Sequence, residues 1–346
     1  MEYRPLGRTG VQVSALCLGG GNYGDMTSEE TARDIMRAAI EAGINLIDTA
    51  DSYCGGESER IIGRFLKSTG LRHRVLVLSK VFYPTGEGPN DRGLSRYHIM
   101  RACEASLRRL DTEHIDLYLL HRSAGDAVPI EETLEALNDL VRQGKVGYIG
   151  CSTHPAWQVM EALATSERRG LSRFVAESPP YNLLDRRAEN ELIPLCRKYG
   201  LAVIPWSPLA MGMLAGRYPT DASFPEGSRA AANPQGIYAR RVSRRGARVG
   251  AQVAALARER GLTAGQLALL WVKDQPGVTC PIVGPRTRAQ LTEMLAVADK
   301  RADHELQAAF DALVPPGMAV ANFYNTSGWM KAGVFDDAPD MAQTPL

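Results

Sequence analysis

Asp48-Thr49-Ala50-Asp51-Ser52-Tyr53 follows directly on the apolar run Gly43-Ile44-Asn45-Leu46-Ile47. That run reads as a buried strand, which puts Asp48 at its carboxyl end and Tyr53 in the loop beyond. Two later runs finish in the same way. Val75-Leu76-Val77-Leu78-Ser79 leads into Lys80, and Ile115-Asp116-Leu117-Tyr118-Leu119-Leu120 leads into His121. Acid, phenol, amine and imidazole thus close three consecutive strands. If those strands are parallel and alternate with helices, all four side chains meet on one rim.

The remainder of the chain keeps that beat. Residues 2 to 13 alternate around Gly7 and Gly10 and predict a hairpin, and Val13 to Leu18 predicts the first core strand. Helices are predicted over Ser28 to Ala42, stopped by Gly43, then over Glu57 to Lys67, Arg96 to Arg109 and Ile130 to Gln143. Strand Val146 to Cys151, a helix from near Pro155, strand Phe174 to Ser178, helix Arg187 to Tyr199 and strand Leu201 to Trp206 follow. Residues 216 to 247 read as a long irregular insertion, rich in Gly, Pro and Arg. Helices Arg248 to Arg260 and Ala264 to Lys273, strand Val278 to Val283, helix Thr287 to Ala298 and a last helix Asp303 to Leu313 complete eight strand and helix units. The pattern predicts an α/β fold, a (β/α)8 TIM barrel with an N-terminal β-hairpin and extra C-terminal helices, built as one domain over residues 1–346.

One rival arrangement is written in the glycines. Gly19-Gly20-Gly21-Asn22-Tyr23-Gly24 matches the dinucleotide fingerprint, with Asp48 at the distance of a ribose-binding acid. A phosphate loop of that kind needs its helix to begin inside the glycines so that the amides face pyrophosphate. Here Thr27-Ser28-Glu29-Glu30 reads as a capping box that starts the helix later. The loop is better read as close-approach backbone in a barrel, with Asn22 and Tyr23 on a pocket wall.

Composition narrows the function. The chain has 346 residues, 45% of them hydrophobic and 23% charged, with a formal net charge of +1. It carries no global field for nucleic acid or membrane. Six scattered cysteines form no paired motif, so neither a disulfide framework nor a metal site is expected. The N-terminus lacks an apolar signal core and no stretch of eighteen apolar residues occurs, so a cytoplasmic location is expected.

Read together, Asp48, Tyr53, Lys80 and His121 resemble the catalytic tetrad of the aldo-keto reductase superfamily, and the likeness runs from Leu6-Gly7 to about Leu295. The resemblance implies a (β/α)8 barrel and NADP(H)-dependent reduction of an aldehyde, ketone or keto-sugar. It also implies a small-molecule carbonyl or alcohol substrate, with no nucleic acid or membrane partner; nothing in the sequence sets an oligomeric state. A different outcome of the same likeness is a nicotinamide-binding redox sensor or regulatory subunit with little turnover. Tyr53 then acts as general acid. An ammonium at about 4 Å in an effective dielectric of about 20 stabilises a phenolate by roughly 4 kcal/mol, so Lys80 is expected to bring the phenol down from near 10. Asp48 keeps Lys80 charged, and His121 donates a neutral hydrogen bond to the substrate oxygen.

The cofactor positions implied by the resemblance begin with Gly20, Gly21 and Asp48. Trp206, Ser207, Pro208 and Leu209 resemble the segment whose aromatic ring stacks on the nicotinamide, followed by Gly212 and Leu214 at the pyrophosphate. Arg217 belongs to the same group, while Gly284, Arg286 and Gln290 resemble the adenosine end, Arg286 meeting the 2′-phosphate. Ser152 and Ser178 fall where the nicotinamide carboxamide is held. Departures from the pattern are Thr153 in place of an Asn, Ser178 in place of a Gln, and Met294 in place of an Asn or Glu. The insertion carries Arg217, Arg229, Arg240, Arg241, Arg244 and Arg245 against Asp221 and Glu226. It is expected to act as a mobile lid whose guanidinium groups clamp the pyrophosphate.

Overall fold

The chain opens with an antiparallel hairpin of β1 (Tyr3–Pro5) and β2 (Gln12–Ser14), in which Arg4 lies opposite Val13. A computed structural model describes residues 1–125 and 127–324. The last part of the expected single domain, residues 325–346, lies outside the described residues. After the hairpin come β3 (Cys17–Gly19), α1 (Glu29–Glu41), β4 (Leu46–Asp48), α2 (Glu57–Thr69), β5 (Leu76–Val81) and α3 (Arg96–Leu110). β6 (Ile115–Leu120), α4 (Ile130–Arg142), β7 (Val146–Ser152), α5 (Ala156–Arg169), β8 (Phe174–Ser178), α6 (Leu192–Tyr199) and β9 (Ala202–Val203) continue the alternation. Four helices then precede the last strand: α7 (Arg229–Ala232), α8 (Ile237–Arg240), α9 (Arg244–Glu259) and α10 (Ala264–Lys273). β10 (Ile282–Val283), α11 (Arg288–Leu295) and α12 (His304–Leu313) end the ordered elements.

Strands β3 to β10 form one parallel sheet in the order β10-β3-β4-β5-β6-β7-β8-β9. The two ends of that order meet. Val203 bridges Val278 in parallel, Thr279 N donates to Val203 O at 2.8 Å, and Ile282 N donates to Pro205 O at 2.8 Å. The expected barrel is therefore closed. Its interior is filled by inward-facing residues including Leu46, Leu78, Leu117, Leu119, Ala202 and Ile204. Leu6 and Val13 of the hairpin join that inner cluster, so the hairpin stoppers one end, and burying Leu6 is worth about 1.5–3 kcal/mol. At Gly7, φ is +58° and a Cβ would sit 2.6 Å from Val175 O. No other residue lets the turn lie this close to the barrel end.

Local chemistry explains where the elements depart from the predicted bounds. The first core strand is not continuous from Val13, because the Ser14 hydroxyl donates to Leu16 O at 2.7 Å and turns the chain between β2 and β3. β9 and β10 are short because Pro205 and Pro281 have no N–H for a ladder. Helix α6 begins at Leu192, after a separate 3₁₀ turn at Arg187–Glu189. Pro194 is the reason, since proline is tolerated only in a first helical turn. The predicted capping box is corrected: Ser28 caps α1, accepting from Thr31 N, and the Thr27 hydroxyl is buried without a partner. Helix α9 starts at Arg244, four residues earlier than predicted, because Ser243 caps it by accepting from Gly246 N at 3.0 Å.

All six cysteines are unpaired. Among the described residues no helix is long and apolar enough to cross a membrane.

Candidate active site

Parallel β4, β5 and β6 lie side by side, with Asp48 beside Leu78 and Lys80 beside Leu119. The carboxyl ends of these strands bring Asp48, Lys80 and His121 to one cavity of about 980 Å³. Tyr53 reaches it from a 3₁₀ turn. Cys54, Gly55 and Gly56 all have positive φ, which reverses the chain straight into α2 and leaves the phenol over the barrel mouth. Lys80 is 2% exposed; its Nζ donates to an Asp48 carboxylate oxygen, to Thr49 O at 2.8 Å and to Tyr53 Oη at 3.2 Å. Glu59, buried, accepts from Ser79 Oγ at 2.6 Å and from Arg109 Nε at 2.6 Å, which ties α2 and α3 to β5 one residue before Lys80.

Burial disfavours the Lys80 ammonium, but the Asp48 and Tyr53 oxygens outweigh it and hold Lys80 above its ordinary value. The pair is ionic. For Tyr53 the expected fall is not found. Burial is the largest influence and pushes the phenol up to about 12; Lys80 works against this, and Asp48 adds to it. The desolvation of a phenolate enclosed by protein takes back more than the ammonium contributes. Burial, with Lys80 and Arg122 nearby, holds His121 well below its ordinary value, so the ring is neutral. His121 lines the cavity, and its Nδ1 is buried without a partner among the described residues. Tyr53 and Tyr83 flank this ring edge to face, with centroids 5.5 and 4.9 Å away.

Most of the predicted cofactor and pocket-wall positions share the cavity wall: Gly21, Asn22, Ser152, Ser178, Trp206, Ser207, Pro208, Leu209, Gly212, Arg217, Gly284, Arg286 and Gln290. Three do not. Tyr23 is fully buried in the core, not on the wall. Gly20 faces away, its missing side chain making room for Ser58 and Ile62 of α2. Leu214 is fully buried, and its N–H bonds Leu209 O at 3.3 Å within the turn. Trp206 is fixed by Thr153, whose hydroxyl accepts from Trp206 Nε1 at 3.0 Å and from Arg122 Nη1 at 3.0 Å. The residue in place of the expected Asn thus anchors the indole. Ser152 Oγ donates to Ser178 O at 2.8 Å, whereas Ser178 Oγ is buried without a partner among the described residues.

A family model described as "Aldo/keto reductase family" matches residues 15–315. The chain belongs to the aldo/keto reductase family. Among curated relatives of this aldo/keto reductase, "Uncharacterized oxidoreductase YrpG" of Bacillus subtilis is 40% identical over 92% of this chain and 97% of its own. "Probable voltage-gated potassium channel subunit beta" of Oryza sativa is 35% identical, over 86% of this chain and 92% of its own. "Aldo-keto reductase dtxS3" of Metarhizium robertsii is 34% identical, over 91% and 92%. Family membership implies an oxidoreductase that uses a nicotinamide cofactor, NAD(P)H, in carbonyl reduction.

The cavity of this family member suits a polyanionic group. Arg217, Arg229 and Arg286 line one part of it, near enough that the first two depress the ionisation of the third after burial does so. Arg286 Nη1 donates only to Gly227 O at 3.0 Å and to the Met26 sulfur, and Arg229 donates to Asn22 Oδ1. None of the three is ion-paired to a carboxylate among the described residues. Gln290 Oε1 accepts from Arg286 N at 2.8 Å, which holds the turn into α11.

Sequence reasoning missed Arg122, Tyr83 and Tyr238 on the wall. The adjacency His121-Arg122 was the available signal for the first. No metal site was expected from the scattered cysteines, yet the fold gathers Cys151, His154 and Glu177, with donor atoms within 4.8 Å of one another. Glu177 Oε1 accepts from His154 N at 3.0 Å, and burial first of all pushes its carboxyl up to about 8. These contacts pin the chain just past β7.

Proposed function

We propose that this chain is an NADP(H)-dependent oxidoreductase that reduces an aldehyde, ketone or keto-sugar to the alcohol, with Tyr53 as the general acid. One observation carries the reading: the Tyr53 hydroxyl lies 3.2 Å from an ammonium that is itself paired with Asp48, on the wall that neutral His121 shares. Bound in the cavity, the reduced nicotinamide supplies the hydride. Tyr53 gives its proton to the substrate oxygen as charge develops there; even near 12 it is a far stronger acid than water at about 15.7. Lys80 stabilises the phenolate left behind, and Asp48 keeps Lys80 charged while itself remaining in hydrogen-bond contact. His121 offers a ring N–H to the same oxygen and sets its approach. Trp206, Ser178 and Ser152 suit the nicotinamide end, and Arg217, Arg286 and Gln290 suit the phosphates and adenosine.

The test is NADPH consumption over a panel of aldehydes, ketones and sugars, with Tyr53→Phe beside the unaltered protein. Loss of the hydroxyl is expected to lower kcat by about 10²–10⁴ while cofactor affinity stays within a few-fold. Retention of more than about a tenth of the activity removes Tyr53 from the role.

The second reading, a nicotinamide-holding redox sensor for a partner with little turnover, is favoured by the relatives named as potassium channel beta subunits. Both readings keep the four polar residues. Turnover on the panel separates them.

A further inference from the structure

The basic residues of the cavity fall into two groups. Arg217, Arg229 and Arg286 form one, at the end suited to the cofactor's phosphates. Arg122, next to His121 in the chain, and Arg241 form the other, both over the Trp206 ring. Arg122 follows His121 in sequence and donates Nη1 to its carbonyl oxygen at 2.7 Å. Both guanidinium groups rest on the Trp206 ring, their carbons 5.6 and 4.8 Å from its centroid. Arg122 also faces Tyr83, 5.7 Å away, and Arg241 faces Phe323, 5.7 Å away.

Arg122 is 9% exposed and Arg241 4%. Neither meets a carboxylate among the described residues. Arg122 Nε and Arg241 Nε and Nη2 have no hydrogen-bond partner among the described residues. Two like charges held this close and largely out of water are costly; Glu177 is near enough to Arg122 to interact with it without forming an ion pair, and aromatic faces offset only part of the cost. An arrangement of this kind is resolved when an anion enters between the donors. In the proposed reading Arg217 and Arg286 meet the cofactor's phosphates, with Arg229 near both Arg286 and Arg241, which leaves Arg122 and Arg241 over Trp206 for a second anion.

We propose that the carbonyl substrate carries an anionic group, a carboxylate or a phosphate, which Arg122 and Arg241 bind while its carbonyl lies against Tyr53 and His121. The proposal rests on the reading of this site as a carbonyl reductase and adds the substrate class. Trp206 is the shared floor, so the anion and the carbonyl are placed by adjacent parts of one wall. Arg122 and Arg241 are substrate-positioning residues in this scheme. They take no part in proton transfer.

Two matched pairs test it by steady-state kinetics: 4-formylbenzoate against its methyl ester, and glyceraldehyde 3-phosphate against glyceraldehyde. In the unaltered protein the charged member of at least one pair is expected to have kcat/KM at least about tenfold higher, and which pair shows it separates carboxylate from phosphate. In Arg241→Met that ratio falls at least about tenfold, and Arg241→Lys restores part of it. A ratio near one for both pairs, or one that Arg241→Met leaves unchanged, overturns the proposal. Should both variants fail to fold, the ratio in the unaltered protein decides alone. A second arm needs no turnover: calorimetric titration with benzoate, inorganic phosphate and neutral benzamide. Tighter binding of one anion than of benzamide, lost in Arg241→Met, supports the anion site even if no aldehyde is reduced; in that case the reductase reading fails and the anion site stands. Equal weak binding of all three, with aldehydes reduced at equal rates, leaves the reductase reading and removes the anion site.

Discussion

Tyr53 keeps its proton because burial outweighs the neighbouring ammonium, and this has a consequence for pH. A phenol whose ionisation is raised to about 12 stays in its donor form throughout the neutral and mildly alkaline range, and a His121 ring held below its ordinary value stays neutral there too. With neither group changing state, kcat/KM for reduction is expected to vary by less than about threefold between about pH 6 and pH 9. A fall of tenfold across that range, measured with saturating NADPH, would show that one of the two titrates within it. Arg286 belongs to the same scale. Among the described residues its guanidinium donates to a carbonyl oxygen and a sulfur and to no carboxylate, so it is available to a phosphate. Arg286→Ala is expected to weaken NADPH by about ten- to a hundredfold while NADH changes little. An unchanged ratio of the two dissociation constants moves the phosphate contact to another residue, with Arg288 the next to examine.

At the scale of elements, the site depends on how closely α9 approaches the turn after β9. That turn, Ala210–Ala215, carries Met211 and Gly212 in left-handed conformation and presents Gly212 to the cavity. Gly250 in α9 packs directly on it: a Cβ there would run into the Met213 carbonyl oxygen, which is backbone and cannot swing aside. Gly250→Ala is therefore expected to push the turn outward. Overpacking of this kind lowers stability by about 1–3 kcal/mol, read as a lower Tm, and here a weaker NADPH affinity should accompany it. The substitution improves intrinsic helix propensity. A raised Tm with unaltered cofactor affinity would mean that α9 and the turn are not coupled.

On the scale of the whole molecule, residues 216–247 lie over the barrel mouth as part of its wall. Their Arg229 reaches Asn22 in the loop after β3, and Arg286 reaches back to Gly227, so the segment is linked to the rim on its far side. It is not the irregular stretch its composition suggested, since α7 and α8 lie within it and Ala230, Ala239 and Arg241 are buried. Of its six arginines, Arg217, Arg229 and Arg241 line the cavity, while Arg244 and Arg245 are exposed at the start of α9. The lid reading still has a direct check. Limited trypsin digestion is expected to cut near Arg240, Arg244 and Arg245 in the free protein and to slow at least about tenfold with saturating NADPH. Equal rates in both conditions would leave the segment as a fixed wall.

The sequence alone determined the repeat of strand and helix, and with it the rim on which Asp48, Tyr53, Lys80 and His121 stand. Period, caps and strand ends are local properties, readable from neighbours in the chain. The parallel sheet then follows from short crossover units, which leave few ways to assemble. Other features belong to distance in space. Tyr23 sits beside wall residues in sequence yet points into the core, because the turn after β3 determines which face each side chain takes. Thr153 looked like a loss of grip on the cofactor, and only the fold shows its hydroxyl holding Trp206 and Arg122. The Tyr53 phenol is raised where a charge argument lowered it, since desolvation depends on everything packed around a group and not on its partner alone. Arg122 and Arg241 stand more than a hundred residues apart in the chain. That both lie on one indole with no ion pair to a carboxylate among the described residues was decided by the closure of the barrel and by the path of the segment across its mouth.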